Sequence, residues 1–246
     1  MKYQLNPECS NCQPLVLNIA AKFAQSNYVL QEARNVIKKV SFQDKDYVVK
    51  SFKKPNFVNQ LLYTYFRPSK ALRSYEYSLK IAQFVPKGIA FVECYEKGLI
   101  GESYFISECF DYDFTIREVL TNPAFEDRES IYTQFAKFAY ELHQQGVLHR
   151  DFSPGNILIK RSDQGYLFNI IDINRMDFKA LSLKQRMKNF SMLWASDDDL
   201  DFIAQQYAVF SGLNAEDCKA LAQGFNHSNK RFKNFKKRLK GRPVTD

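Results

Sequence analysis

Residues 147–159 read Val147-Leu148-His149-Arg150-Asp151-Phe152-Ser153-Pro154-Gly155-Asn156-Ile157-Leu158-Ile159, and the next apolar run, Phe168-Asn169-Ile170-Ile171, ends in Asp172. Two β-type runs flank a polar loop that carries a carboxylate and, with four residues between, a carboxamide. A second carboxylate then closes an apolar strand at hairpin distance. Phosphoryl transfer asks for this set: a carboxylate to orient the attacking hydroxyl, and oxygen ligands for Mg²⁺ on the phosphates. On this reading Asp151 is the base, while Asn156 and Asp172 hold metal. The plainer alternative is an Asx turn followed by a strand that happens to end in Asp. The order H-R-D-x-x-x-x-N followed by apolar-apolar-Asp favours the chemistry.

Such a site also needs a cation for the nucleotide phosphates, held by a glutamate on a helix. Tyr47-Val48-Val49-Lys50 ends a strand with a lysine in an apolar run. Pro68-Ser69 opens a helix with Leu72, Tyr75, Leu79 and Ala82 at helical spacing. Glu76 borders that stripe, and a carboxylate there is costly unless paired. Lys50 is its expected partner.

Around these residues the chain divides. The first half reads as strands (Tyr28 to Leu30, Asn35 to Phe42, Tyr47 to Phe52, Ile89 to Tyr95, Ser103 to Phe110) around the helix that bears Glu76, with a polar turn at Gln43-Asp44-Lys45-Asp46. The second half is mainly helical. Ile131, Phe135, Phe138 and Leu142 keep helical spacing before Gly146, and Leu183, Met187, Phe190 and Trp194 repeat it. Leu200, Ile203 and Tyr207 do the same behind Ser196. The expected fold class is α+β and two-lobed: a small antiparallel sheet lobe (28–110) and a mainly helical lobe (111–246), after an N-terminal extension (1–27).

His149 to Asn156 with Asp172, Lys50 and Glu76 resembles the protein-kinase-like fold over residues 28 to about 210. Within it the chain is most similar to the lipopolysaccharide core kinases, the heptose and Kdo (3-deoxy-D-manno-octulosonic acid) kinases. That likeness rests on Val49-Lys50-Ser51-Phe52, Lys70-Ala71-Leu72-Arg73-Ser74-Tyr75-Glu76, Ser103-Tyr104-Phe105-Ile106-Ser107-Glu108 and Ile171-Asp172-Ile173-Asn174-Arg175-Met176. The resemblance implies ATP and Mg²⁺ as cofactors, with Glu108, Cys109 and Phe110 as a hinge strand whose backbone meets adenine. Protein kinases fit poorly: Ser153, which joins Asp151 in the catalytic set, stands where they carry lysine. Ile173-Asn174 also replaces Phe-Gly after the metal Asp. The implied acceptor is a sugar hydroxyl of the lipid-linked inner core, with Arg175 facing an anionic group on it. A small-molecule or protein Ser/Thr kinase of the same fold, or a non-catalytic pseudokinase, is the alternative. The first glycine of the chain is Gly88, so the Gln31-Glu32-Ala33-Arg34 turn has to cover phosphates without glycine's freedom.

Composition supports a globular protein: 246 residues, 45% hydrophobic, with no run long enough to span a bilayer. The start, Met1 to Pro7, has no apolar core of a signal peptide, and five cysteines, an odd number, suggest reduced thiols in the cytoplasm. Lys230, Arg231, Lys233, Lys236, Lys237, Arg238, Lys240 and Arg242 equal the whole formal excess of +8. Phe232, Phe235 and Leu239 share one side of this basic segment, which suits an anionic membrane surface at residues 230–242. The expected place is therefore the inner face of the cytoplasmic membrane, held peripherally. No nucleic-acid contact and no obligate protein partner are expected. Cys9-Ser10-Asn11-Cys12 lacks a second ligand pair and reads as a flexible extension with free thiols. His143 is expected on a solvated face, and Asp197-Asp198-Asp199 to complement a helix N-terminus.

Overall fold

A computed structural model describes residues 1–32, 35–239, 241 and 243. Ala33 and Arg34 of the expected phosphate-covering turn, and Lys240 and Arg242 of the basic end, lie outside the described residues. The chain forms two units, Met1–Asp111 with Asp172–Asn174, and Tyr112–Ile171 with Arg175–Asp246.

In the first unit six antiparallel strands make one sheet. They are β1 (Lys2–Leu5), β2 (Val29–Glu32), β3 (Val36–Phe42), β4 (Lys45–Phe52), β5 (Gly88–Glu96) and β6 (Leu99–Glu108), in spatial order β1-β5-β6-β4-β3-β2. The polar turn between β3 and β4 places Gln43 and Asp44 at φ of 50° and 60°, the left-handed pair that a two-residue hairpin needs. Strand alternation gives the sheet two apolar faces. Val40, Tyr47, Val49, Ala90, Val92, Tyr104 and Ile106 pack on Leu15, Val16 and Ile19 of α1 (Gln13–Leu17) and α2 (Ile19–Gln25). Phe52 and Phe91 meet Ala71 and Tyr75 of another helix. After α3 (Phe57–Leu61), that helix is α4 (Lys70–Lys80), capped by Ser69, whose hydroxyl accepts from the Leu72 N–H at 3.0 Å. Gly88 lets α4 approach β5, since a Cβ there would sit 1.9 Å from Ser78 Oγ.

Residues 1–27 are thus not a flexible extension. β1 pairs with β5, the Asn6 side chain donates to the Gly88 carbonyl at 2.9 Å, and Cys9 and Cys12 are buried in the core. Burial pushes the Cys9 thiol up. Among the described residues no cluster of three metal-ligating side chains occurs.

The second unit holds α5 (Ile116–Thr121), α6 (Arg128–Gln144), α7 (Leu183–Phe190), α8 (Asp197–Ser211) and α9 (Ala215–Leu239). Small sheets accompany them: β7 (Phe114–Thr115), β9 (Ile157–Ser162) and β10 (Gly165–Ile170) form one, and β8 (Val147–His149) pairs with β11 (Met176–Phe178). Gly146 follows α6 at φ +71°, as its place after the helical stripe requires. Two expectations fail here. His143 is buried, its ring nitrogens 3.1 Å from the Tyr207 hydroxyl and 3.1 Å from Asn189 Oδ1, and burial lowers its pKa to about 4. Helical spacing alone placed it on the wet side, but α7 and α8 cover α6 there. Trp194 is not helical: α7 ends at Phe190, and Trp194 takes a left-handed φ of 57°. The acids at 197–199 do open α8, where the Asp199 N–H donates to Ser196 Oγ, and Asp199 also pairs with Arg128 at 2.9 Å. No helix among the described residues is long and apolar enough to cross a membrane.

Candidate active site

In the first unit, β4 carries Lys50 among apolar neighbours, and its ammonium lies 2.6 Å from Asp172 Oδ1. The Asn174 side-chain amide donates to the same oxygen. Asp172 itself stands at φ +58°, a left-handed backbone that Asp tolerates better than most side chains. The expected Lys50–Glu76 pair is not formed. α4 turns Ala71, Ser74, Tyr75 and Ser78 inward, which leaves Glu76 and Leu79 exposed. Of the expected stripe, Tyr75 is buried and Leu72 half-buried, but Leu79 and Ala82 are exposed, because the buried face is turned towards Ala71, Ser74 and Ser78. At the end of β6 the Glu108 N–H donates to the Lys87 carbonyl at 2.9 Å, and the Cys109 N–H to that of Asp46 at 3.3 Å. Cys109 and Phe110 are half-buried at the end of this unit.

In the second unit the loop after β8 is tied down from several sides. His149 is fully buried, and its Nδ1 accepts from the Asp151 N–H at 3.0 Å. Its Nε2 therefore carries the proton and donates to the Ile171 carbonyl at 3.0 Å. Asn189 Nδ2 donates to the His149 carbonyl at 2.8 Å, while Asn189 Oδ1 meets buried His143. Phe152 is fully buried and stacks on Phe135. Asn156 Nδ2 donates to the Asp151 carbonyl at 2.9 Å, and its N–H to that of Ser153 at 2.9 Å. The Ile171 N–H donates to the Asn156 carbonyl at 3.0 Å, which brings the strand that precedes Asp172 alongside the loop.

This bonding occupies the backbone of Asp151 and leaves its carboxylate without a hydrogen bond or ion pair among the described residues. Arg150 turns away to Asp177, at 2.7 Å. Arg175 gives its carbonyl to the Arg150 N–H at 3.0 Å, and its side chain is exposed. Sequence reasoning missed a further cation. Lys233 of α9 lies over the Trp194 ring, 4.9 Å from its centroid. Burial lowers its pKa, and the charge of Asp151 acts against that. The polar contacts Asn229 Nδ2 to the Ser191 carbonyl (2.7 Å) and Lys230 Nζ to that of Ala195 (2.9 Å) seat α9 on the segment after α7.

The lipopolysaccharide kinase (Kdo/WaaP) family model matches residues 43–212, which take in Lys50, Asp151, Asn156 and Asp172. The chain belongs to the Kdo/WaaP lipopolysaccharide kinase family. Curated protein sequences give no match. Among solved structures, WaaP in complex with acyl carrier protein is similar, with a TM-score of 0.60 and 14% identity over 94% of this chain and 97% of that one. That likeness bears on the fold alone, and it agrees with the two-lobed, kinase-like architecture expected from the catalytic loop. Because 1519 chains of solved structures match, the fold by itself says little about the acceptor. For a Kdo/WaaP kinase the nucleotide is ATP with a divalent metal. Each unit carries a side chain of the kind Mg²⁺ takes: a carboxylate at Asp172 in the first and a carboxamide at Asn156 in the second.

Proposed function

We propose that this Kdo/WaaP kinase transfers the γ-phosphoryl group of ATP to a Kdo or heptose hydroxyl of the lipopolysaccharide inner core, at the cytoplasmic face of the membrane. The observation that carries this is Asp151. Its backbone is pinned by His149 and Asn156 while its carboxylate makes no hydrogen bond among the described residues, which suits a group reserved for an incoming hydroxyl. Asn156 and Asp172 would hold Mg²⁺, which when bound neutralises charge on the phosphates. Lys50 would position those phosphates, Glu108 to Phe110 would meet adenine, and Ser153 would stay beside the base. Arg175 and Lys233 are cations for an anionic acceptor, such as a Kdo carboxylate.

A protein acceptor fits less well. The stretch from Asp172 to α7 is short, and β11 within it is spent on pairing with β8, leaving little chain to hold an extended peptide. The test is ATP turnover with purified lipid A–core. Asp151→Ala is expected to remove turnover with an unchanged thermal melt, and near-wild-type turnover would overturn the assignment. Efficient phosphorylation of a generic protein at the same rate would overturn the acceptor class.

The WaaP structure contains acyl carrier protein, which conflicts with the expectation that no protein partner is needed. A complex of this chain with acyl carrier protein is therefore proposed as well, and a shift in elution volume on mixing the two is its check.

A further inference from the structure

Residues 57–66 bury a polar side chain and expose rings. α3 (Phe57–Leu61) runs on through Leu62–Phe66 in a wider helical turn, and it is the polar side chains that fasten this segment to the sheet. Gln60 is buried and donates from Nε2 to the Ile100 carbonyl at 2.7 Å. Thr64 Oγ1 accepts from the Ile100 N–H at 3.0 Å and donates to the Gln60 carbonyl at 2.7 Å. Asn56 caps the start by accepting from the Asn59 N–H at 3.0 Å. Leu61, Leu62 and Tyr63 are half-buried, but four apolar side chains face water: Phe57 is 65% exposed, Val58 64%, Tyr65 65% and Phe66 77%. A short segment that uses its polar groups for anchoring and presents its rings to solvent is built to be covered.

Charge says by what. From Tyr47 to Tyr75 the chain has no acidic residue, yet it holds Lys50, Lys53, Lys54, Arg67, Lys70 and Arg73. Lys50 is spent on Asp172 and Lys54 on Glu96. Lys53 and Arg67 are exposed at the two ends of the ring-bearing segment. Aromatic rings flanked by cations match the depth profile of an anionic bilayer surface, with rings among the upper acyl carbons and cations at the headgroups.

We propose that residues 53–67 of the first unit form a membrane-docking surface, with Phe57, Val58, Tyr65 and Phe66 entering an anionic leaflet and Lys53 and Arg67 meeting its headgroups. This deepens the proposed function, since it explains how a kinase reaches an acceptor held in lipid, but its test is separate from that reading. Full-length protein is sedimented with phosphatidylethanolamine–phosphatidylglycerol vesicles and with phosphatidylcholine vesicles. F57S/F66S is expected to weaken partitioning onto the anionic vesicles by about tenfold or more, equivalent to about 1.4 kcal/mol. Its turnover of a soluble, deacylated core oligosaccharide is expected to stay at the wild-type level, so loss of binding cannot be confused with a wrong acceptor. A Phe66→Trp variant, read against the baseline set by Trp194, is expected to be quenched by brominated lipid. Unchanged partitioning of F57S/F66S, or no added quenching at position 66, overturns the proposal. So does a result in which the substitutions abolish binding of acyl carrier protein and leave vesicle binding intact.

Discussion

Asp172 Oδ1 already accepts from Lys50 and Asn174, so a metal ion held by this carboxylate would compete with the ammonium for it. Mg²⁺ held there with ATP would leave Lys50 free for the phosphates, and Glu76 on α4 is the carboxylate we propose as its counterion in that state. Two outcomes are expected. Lys50→Met lowers turnover by about a hundredfold or more, because phosphate positioning is lost. Glu76→Gln lowers it by about tenfold without moving the thermal melt. Exposed substitutions that touch nothing usually change stability by less than about 0.5 kcal/mol, so lost turnover at constant stability would mark an engagement made on nucleotide binding. Unchanged turnover for Glu76→Gln would remove Glu76 from the site. His143 gives a pH prediction. Its folded pKa of about 4 lies below its ordinary 6.5, so between these values the unfolded chain binds the extra proton. Its contribution is fully present above pH 6.5, falls as pH drops towards 4, and is level below that. The amount at stake is on the order of 3 kcal/mol. Urea unfolding at pH 7.5 and pH 5 checks this, and His143→Gln should flatten the dependence.

At the scale of elements, strands and the catalytic loop were legible, because alternation and a contiguous motif are local properties. The β3–β4 hairpin, the helix ending at Gly146, and the order of Asp151, Asn156 and Asp172 needed no knowledge of distant partners. What could not be read was rotation and covering. Which side of α4 faces the sheet depends on Gly88 admitting Ser78, and whether His143 is wet depends on α7 and α8 arriving from elsewhere in the chain. α9 shows both limits. It begins well before the basic run, docks through Asn226, Asn229 and Lys230, and lays Lys233 and Lys237 over Trp194. Yet Phe232, Phe235 and Leu239 remain exposed, as a membrane-facing stripe requires. Removing the end of α9 would also remove its docking contacts, so F232S/F235S/L239S is the cleaner variant. It is expected to lower salt-sensitive binding to anionic vesicles by about tenfold or more and to leave the melt unchanged. Vesicle binding at the wild-type level would assign those residues no membrane role.

For the molecule as a whole, the largest departure from the sequence reading is the beginning of the chain. A cysteine pair with no partner pair suggested a loose tail, and the apolar residues between Pro14 and Phe23 carried no motif to contradict it. In the structure Leu15, Val16 and Ile19 are essentially without solvent exposure, and they cover the face of the sheet opposite α4. Without them Val40, Val49, Val92 and Ile106 would face water, on the strands that also carry Lys50 and lead to Glu108. The first unit therefore depends on its N-terminal segment for a core rather than for a cap. Leu15→Ala and Ile19→Ala are each expected to cost about 2–5 kcal/mol, the range for a large aliphatic side chain removed from a packed core. Deletion of residues 1–25 is expected to leave no soluble, cooperatively unfolding protein. The point variants serve if the deletion cannot be purified: urea midpoints for both within error of wild type would show that the sheet holds the strand of Lys50 without this cover. Midpoints lowered in both, with ATP affinity weakened in step, would tie the geometry at Lys50 to a segment with no catalytic residue in it.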